Sequence, residues 1–188
     1  MTDVKLQQPT GTGITRLVYK EIVRGDRRKF EAQSNDTPSG GGARDLRYSP
    51  YEKFVKVFER MLPTKDAKNI CIGRFAWMEK GVRKSGDAFF HPPTGARGNE
   101  GRIASVDKYL PLYTLPSEDD GTTILIIYQI EDGTVWPCFT TDRSLASGGW
   151  HPAVSEIILK CLRAYRRSNV SCCGYIDYEF NEVFCNGK

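Results

Sequence analysis

The strongest constraint on this chain is its many short strand-like runs, which glycine and proline turns separate and only two helical stripes interrupt. Gly13 to Val23, Lys29 to Gln33, Asp45 to Tyr48, Ile70 to Met78, Ala88 to His91, Arg102 to Val106, Thr122 to Ile130, Thr134 to Thr140 and Gly174 to Phe184 all read as strands. Asp132-Gly133, between two of them, is a hairpin signal. Tyr51, Phe54, Val55, Phe58 and Leu62 recur at helical spacing before Pro63, and Val154, Ile157, Ile158, Cys161, Leu162 and Tyr165 form the second stripe. Pro152 suits the first turn of that helix, and Arg163, Arg166 and Arg167 lie where cations complement its C-terminus. Strands and helices do not alternate, which argues against a doubly wound parallel sheet. The expectation is a mainly β, α+β barrel of seven or more strands with two flanking helices.

With 188 residues, the chain is expected to be one domain over residues 13–188 behind a polar tail of residues 1–12. Folding at that size buries about 70% of the unfolded surface, so a core of its own is within reach. The longest apolar run, Ile124 to Tyr128, is far short of the roughly 20 residues a membrane span needs. No membrane partner is expected. The six cysteines include no CxxC pair and no leader-like segment opens the sequence, so reduced thiols in the cytoplasm are the expectation. Zinc on Cys172, Cys173 and Cys185 with a histidine is disfavoured, because adjacent cysteines make poor tetrahedral partners. Neither a metal nor a cofactor is expected.

Charge divides unevenly. Residues 1–109 carry 21 Lys/Arg against 13 Asp/Glu, a balance of +8, whereas residues 110–188 carry 6 against 10, a balance of −4. A basic half beside an acidic half suggests one electropositive surface for a polyanion. Two loops in the basic half carry suitable chemistry. In Gln33 to Pro50, Gly40, Gly41 and Gly42 permit close backbone approach, while Asn35, Asp36, Arg44 and Arg47 supply donors and acceptors. In Phe90 to Ile103, Arg97, Asn99, Glu100 and Arg102 combine the side chains that read guanine, adenine and cytosine edges. A carboxylate beside an arginine also fixes the guanidinium orientation.

The run Asn35-Asp36-Thr37, then Gly41-Gly42, then Tyr48 and Pro50 before an amphipathic helix resembles the N-terminal effector-binding domain of EcoRII-type restriction endonucleases. Asn99-Glu100, Arg102 and Ile103 resemble the Arg/Glu-bearing loop that follows in that family. A looser match runs from the strand Thr122 to Ile130 through a glycine turn to Trp136 and Cys138, so the resemblance spans roughly residues 15–145. It implies the DNA-binding pseudobarrel fold shared with plant auxin-response transcription factors, in which two arms grip the major groove. Asn35, Asp36 and Thr37 would then belong to the N-arm, and Asn99, Glu100 and Arg102 to the C-arm. The chain departs from the pattern at Ala43-Arg44, where the family has His-Gln, and at Asp45 and Arg47. DNA binding is therefore better supported than the family's own target sequence.

Among rival readings, a metal-dependent nuclease needs converging carboxylates. The nearest local pattern, Asp66-Ala67-Lys68, reads as a surface loop. His91 and His151 each precede proline and neither sits in a nucleophile motif. Trp77, Trp136 and Trp150 are spread along the sequence, which gives little support to an aromatic platform for single strands or RNA. A protein-interaction module would use the same loops on another ligand. The sequence-based expectation is a non-catalytic double-stranded DNA-binding domain with two reading loops, about Gln33 to Arg47 and His91 to Arg102. Arg44, Arg47, Arg97 and Arg102 are assigned to guanine or phosphate, Asn35, Asn99 and Glu100 to other base edges, and Lys80, Arg83 and Lys84 to sequence-independent attraction. Any nuclease partner would be a separate subunit.

Overall fold

Strand β1 (Ile14–Glu21) is buried along almost its whole length in the computed structural model, which describes residues 13–31, 44–95, 98–110, 114–165 and 171–186. Along the chain follow α1 (Arg24–Glu31), β2 (Leu46–Tyr48), α2 (Tyr51–Met61), β3 (Thr64–Lys65), β4 (Cys71–Glu79), β5 (Val82–His91) and β6 (Gly101–Ile103). After them come β7 (Thr123–Ile130), β8 (Val135–Thr141), α3 (Asp142–Ala146), α4 (Pro152–Tyr165), β9 (Cys173–Asp177) and β10 (Glu182–Cys185). The strands form one mixed sheet in the order β10-β9-β1-β7-β8-β4-β5-β6-β2, with β3 beside β4, curled into a half-barrel. The mainly β pseudobarrel expected from the sequence fits the observed architecture, with four α-helices among the described residues where two were expected. No helix among the described residues is long and apolar enough to cross a membrane.

The sheet has two wings. One holds β10, β9, β1, β7 and β8, the other β4, β5, β6 and β2, and their junction is a single parallel pair, Phe75 opposite Val135. All strands of the second wing come from the basic half of the sequence, so the charge asymmetry along the chain becomes an asymmetry across the sheet.

Helix α2 fills the concave face. Its Phe54, Val57, Phe58 and Met61 are buried against Tyr48, Phe75, Phe90, Leu125 and Ile127. Helix α4 covers the opposite face of the first wing, where Val154, Ile158, Cys161 and Leu162 meet Leu17, Tyr19, Ile124, Ile126 and Ile176. Strands β1 and β7 are thus covered on both faces, which is why β7 reads as a nearly continuous apolar run, while β1 buries Thr15, Arg16 and Lys20 among its apolar residues.

Three elements depart from the sequence reading. Lys29 and Phe30, expected in a strand, lie in α1, whose one buried apolar anchor, Phe30, packs edge-on to Phe139 at 5.1 Å. A lone buried apolar residue gives no helical stripe to find, although Asp26 in the first turn and Arg28 and Lys29 in the last complement the helix dipole. Gly174 to Phe184 is a hairpin, turned at residues 178–181, instead of one strand. β5 begins at Val82, six residues earlier than expected, because its outer half forms an exposed ribbon with β4 around a Lys80-Gly81 turn in which both residues have positive φ.

The expectation of six thiols is corrected as well. Cys161 on α4 and Cys185 on β10 form a disulfide, and the Cys172 sulfur lies 3.3 Å from that of Cys161. Burial pushes the Cys172 thiol up to about 12. Cys173 turns to the other face, so the cluster is Cys161, Cys172 and Cys185 and not the set first considered for zinc. Spacing alone cannot reveal such a pairing.

A charged knot joins four elements around Asp177. Asp177 is fully buried and accepts from Arg16 Nε at 3.2 Å and Arg60 Nη1 at 2.7 Å on one oxygen, and from the Phe180 N–H at 3.2 Å on the other. Arg16 also donates to Gln129 and Glu179, and Arg60 to Glu182 while stacking 3.6 Å from the Phe180 ring centre. These groups tie β1, α2, β9 and β10 together.

Candidate nucleic-acid interface

Strand alternation sets the geometry of this site. In the antiparallel β2–β6 ladder Leu46 faces Ile103, Arg47 faces Arg102 and Tyr48 faces Gly101, and across β5–β6 His91 faces Arg102. Leu46, Tyr48, Phe90 and Ile103 are fully buried in the core. Their neighbours on each strand must then point the other way, so Arg47, Arg102 and His91 form a row across three adjacent strands on the outer face.

Each arginine is held by a carboxylate. Arg102 Nε lies 3.3 Å from Asp45, Arg47 Nη1 3.5 Å from Glu100, and Arg44 Nη1 donates to Asp107 at 2.9 Å. The first two are diagonal cross-strand pairs on the same face, so each ties one loop exit to the opposite strand. The partly exposed Arg47–Glu100 pair contributes only about 0–1 kcal/mol of stability, while Asp45 is buried beside Arg102. The stronger effect of both pairs is to fix where the guanidinium forks point.

Glu100, whose expected second role is to orient a neighbouring arginine, lies beside Arg47 of the adjacent strand. Asn99 has a structural duty as well. Both its backbone and side-chain oxygens accept from the Tyr51 N–H, at 3.0 and 3.3 Å, which anchors the second loop to the start of α2. Lys29 donates to the Asp45 carbonyl at 2.8 Å and Asp45 accepts from the Ser105 N–H at 3.4 Å, so the exit of the first loop is clamped too. The two loop exits lie at opposite ends of the three-residue ladder, about 7 Å apart along the strand direction. Gln33, Asn35, Asp36, Thr37 and Arg97 fall outside the described residues.

Burial, and next the charge of Arg102, hold the His91 imidazole below its ordinary range. Lys80, Arg83 and Lys84 are not beside this row. They sit on the exposed β4–β5 ribbon, with Lys84 seven residues from His91, about 23 Å along the strand. Asp66 accepts from the Lys68 and Ile70 N–H groups at 2.8 and 2.9 Å, the loop role expected for it. His151 caps α4 by accepting from the Ala153 N–H at 3.2 Å.

The sequence reading missed two things here. Asp45 and Asp107 hold the arginines, and the signal for Asp45 was its matching alternation with Arg47. Trp77 and Trp136, far apart in sequence, line one cleft with Tyr109, Tyr128 and Phe139. No family model, curated protein or solved structure matches this chain.

Proposed function

We propose that this chain is a non-catalytic module that binds double-stranded DNA through the Arg47, Arg102 and His91 row and the two loops flanking it. The observation that carries the reading is the row itself: two guanidiniums face each other across one ladder, each pre-aimed by a diagonal carboxylate, on the wing built from the basic half of the chain. Loop exits about 7 Å apart along the strand direction suit a major groove about 12 Å wide. The resemblance to the EcoRII-type effector domain supports the same reading, and a cleaving subunit, if one takes part, would be a separate chain.

The test is selection from a randomised duplex library at roughly physiological salt with Mg²⁺ present, sequencing the bound fraction. An enriched short motif without cut ends supports the reading. Enriched cut ends revive the nuclease, and no enrichment at any salt overturns DNA recognition. On the selected duplex, Arg102→Ala is expected to cost about 1–3 kcal/mol and relax one position, whereas Lys84→Ala weakens all sequences alike and lowers the salt slope by about one. Equal loss on selected and random duplex for Arg102→Ala would count against readout.

Acidification gives a second check. His91 is neutral at pH 7, and a nearby phosphate favours its cation, so binding takes up a proton. Affinity should rise as pH falls from about 7.5 to about 5.5, by at most about tenfold per pH unit, and His91→Gln should flatten that rise. The free domain runs the opposite way: with the folded His91 value lowered, its contribution to stability is lost as pH falls through about 6.5 and below.

A further inference from the structure

The joint between the two wings opens into a cleft. Beyond Phe75 and Val135, β4 pairs with β5 alone, and two residues on β8 carries Pro137, which brings no N–H to a ladder. The strands part there, leaving a cleft of about 450 Å³. Trp77, Tyr109 and Phe139 line it from the concave side, where all three join the core packed under α2, and Tyr128 and Cys138 from the other side. Trp136 alternates with the core residue Val135 and so lies on the second side as well.

We propose that this cleft binds an unstacked nucleobase of a single-stranded nucleic acid, at a site separate from the duplex-facing row. Stacking on aromatic faces is sequence-tolerant and suits any base. The bare edge of β4 from Trp77 to Glu79 offers backbone donors and acceptors to the rim of a planar ring. Cations outnumber acids at the mouth: the Arg83 guanidinium lies 5.1 Å from the Trp136 ring centre, with Arg74, Lys80 and Lys84 on the same ribbon, against Glu79 and Asp87 on it and Asp132 near Arg83. A polar backbone threading this mouth meets a net positive field while its base enters an aromatic slot. A second cleft of about 420 Å³ shares Trp77 and Tyr109 and is lined further by Asp87, Phe89, Ala104, Ser105 and Lys108, which leaves space for a neighbouring nucleotide beside the first. The geometry rests on none of the arm residues and stands whether or not the row binds a duplex.

The experiment titrates the full chain with an eight-residue oligothymidylate and with an abasic oligomer of the same length, reading tryptophan fluorescence and anisotropy of the end-labelled strand. The expected result is quenching by oligothymidylate with an affinity at least tenfold above that of the abasic strand. Trp136→Ala should remove about tenfold from the first and nothing from the second, while Trp136→Phe, which keeps a stacking face, should retain the preference. Arg83→Ala should weaken both strands alike. Equal affinities for the two strands on the unaltered chain would overturn the proposal without needing any variant to fold. Displacement of oligothymidylate by Arg47- and Arg102-dependent duplex binding would overturn the claim of a separate site.

Discussion

Replacing Asp177 with alanine is expected to lower stability by about 3–5 kcal/mol, which for a chain of this length is a Tm drop of roughly 6–20 °C. The carboxylate is fully buried and accepts from two guanidiniums and a backbone N–H, and the Arg16 side chain beside it is only 8% exposed. Removing it leaves Arg16 charged inside the barrel with reduced compensation, and such orphaned charges are among the costliest single changes. Arg60 suffers less, since it retains Glu182 at 3.1 Å and the Phe180 ring. Asp177→Asn keeps an oxygen for the Phe180 N–H but not the charge, so it should recover only a small part of the loss. Thermal and urea unfolding monitored by circular dichroism would check both variants. A loss below about 1 kcal/mol for the alanine variant would mean that water solvates the pocket once the carboxylate is gone.

Gly101→Ala is expected to damage stability and the proposed interface together. A methyl at this position would overlap Phe90 Cζ and lie 2.9 Å from both Phe90 Cε2 and Tyr51 Cδ2. Phe90 has little room to retreat, since it is stacked 4.1 Å from Phe58 and 5.9 Å from Tyr51 between ring centres. Relief must come from β6 moving outward. Overpacking of this kind costs about 1–3 kcal/mol, and it shifts Arg102 and Glu100, which flank the glycine in sequence. If the row binds DNA, affinity for the selected duplex should fall about tenfold or more at a temperature where the variant is still folded. A stability loss with unchanged duplex affinity would separate β6 from recognition.

Much of the architecture was legible in the residues because burial leaves a period. The α2 stripe and the doubly covered β1 and β7 announce themselves through the apolar positions that the core requires. The segments that escaped, Val82 to Asp87 and Arg24 to Glu31, bury few side chains and so carry no such period. At the candidate site, the residue types were readable but their partners were not. Arg47 with Glu100 and Arg102 with Asp45 depend on register across a three-residue ladder, and Cys161 with Cys185 on where a helix meets an edge strand. The aromatic cleft was hidden for the same reason. Trp77 and Trp136 are 59 positions apart and meet only because β4 runs parallel to β8.

That single parallel pair also bears on how such a protein can change over time. Among the described residues one ladder joint links the wing carrying the arginine row to the wing carrying the charged knot, and side chains join them around α2 and where Arg83 meets Trp136 and Thr134. Insertions or altered twist in the first need not propagate through backbone hydrogen bonds into the second. If the row binds DNA, the outward-facing positions of β2, β5 and β6 are free to change target while their inward-facing neighbours keep the core.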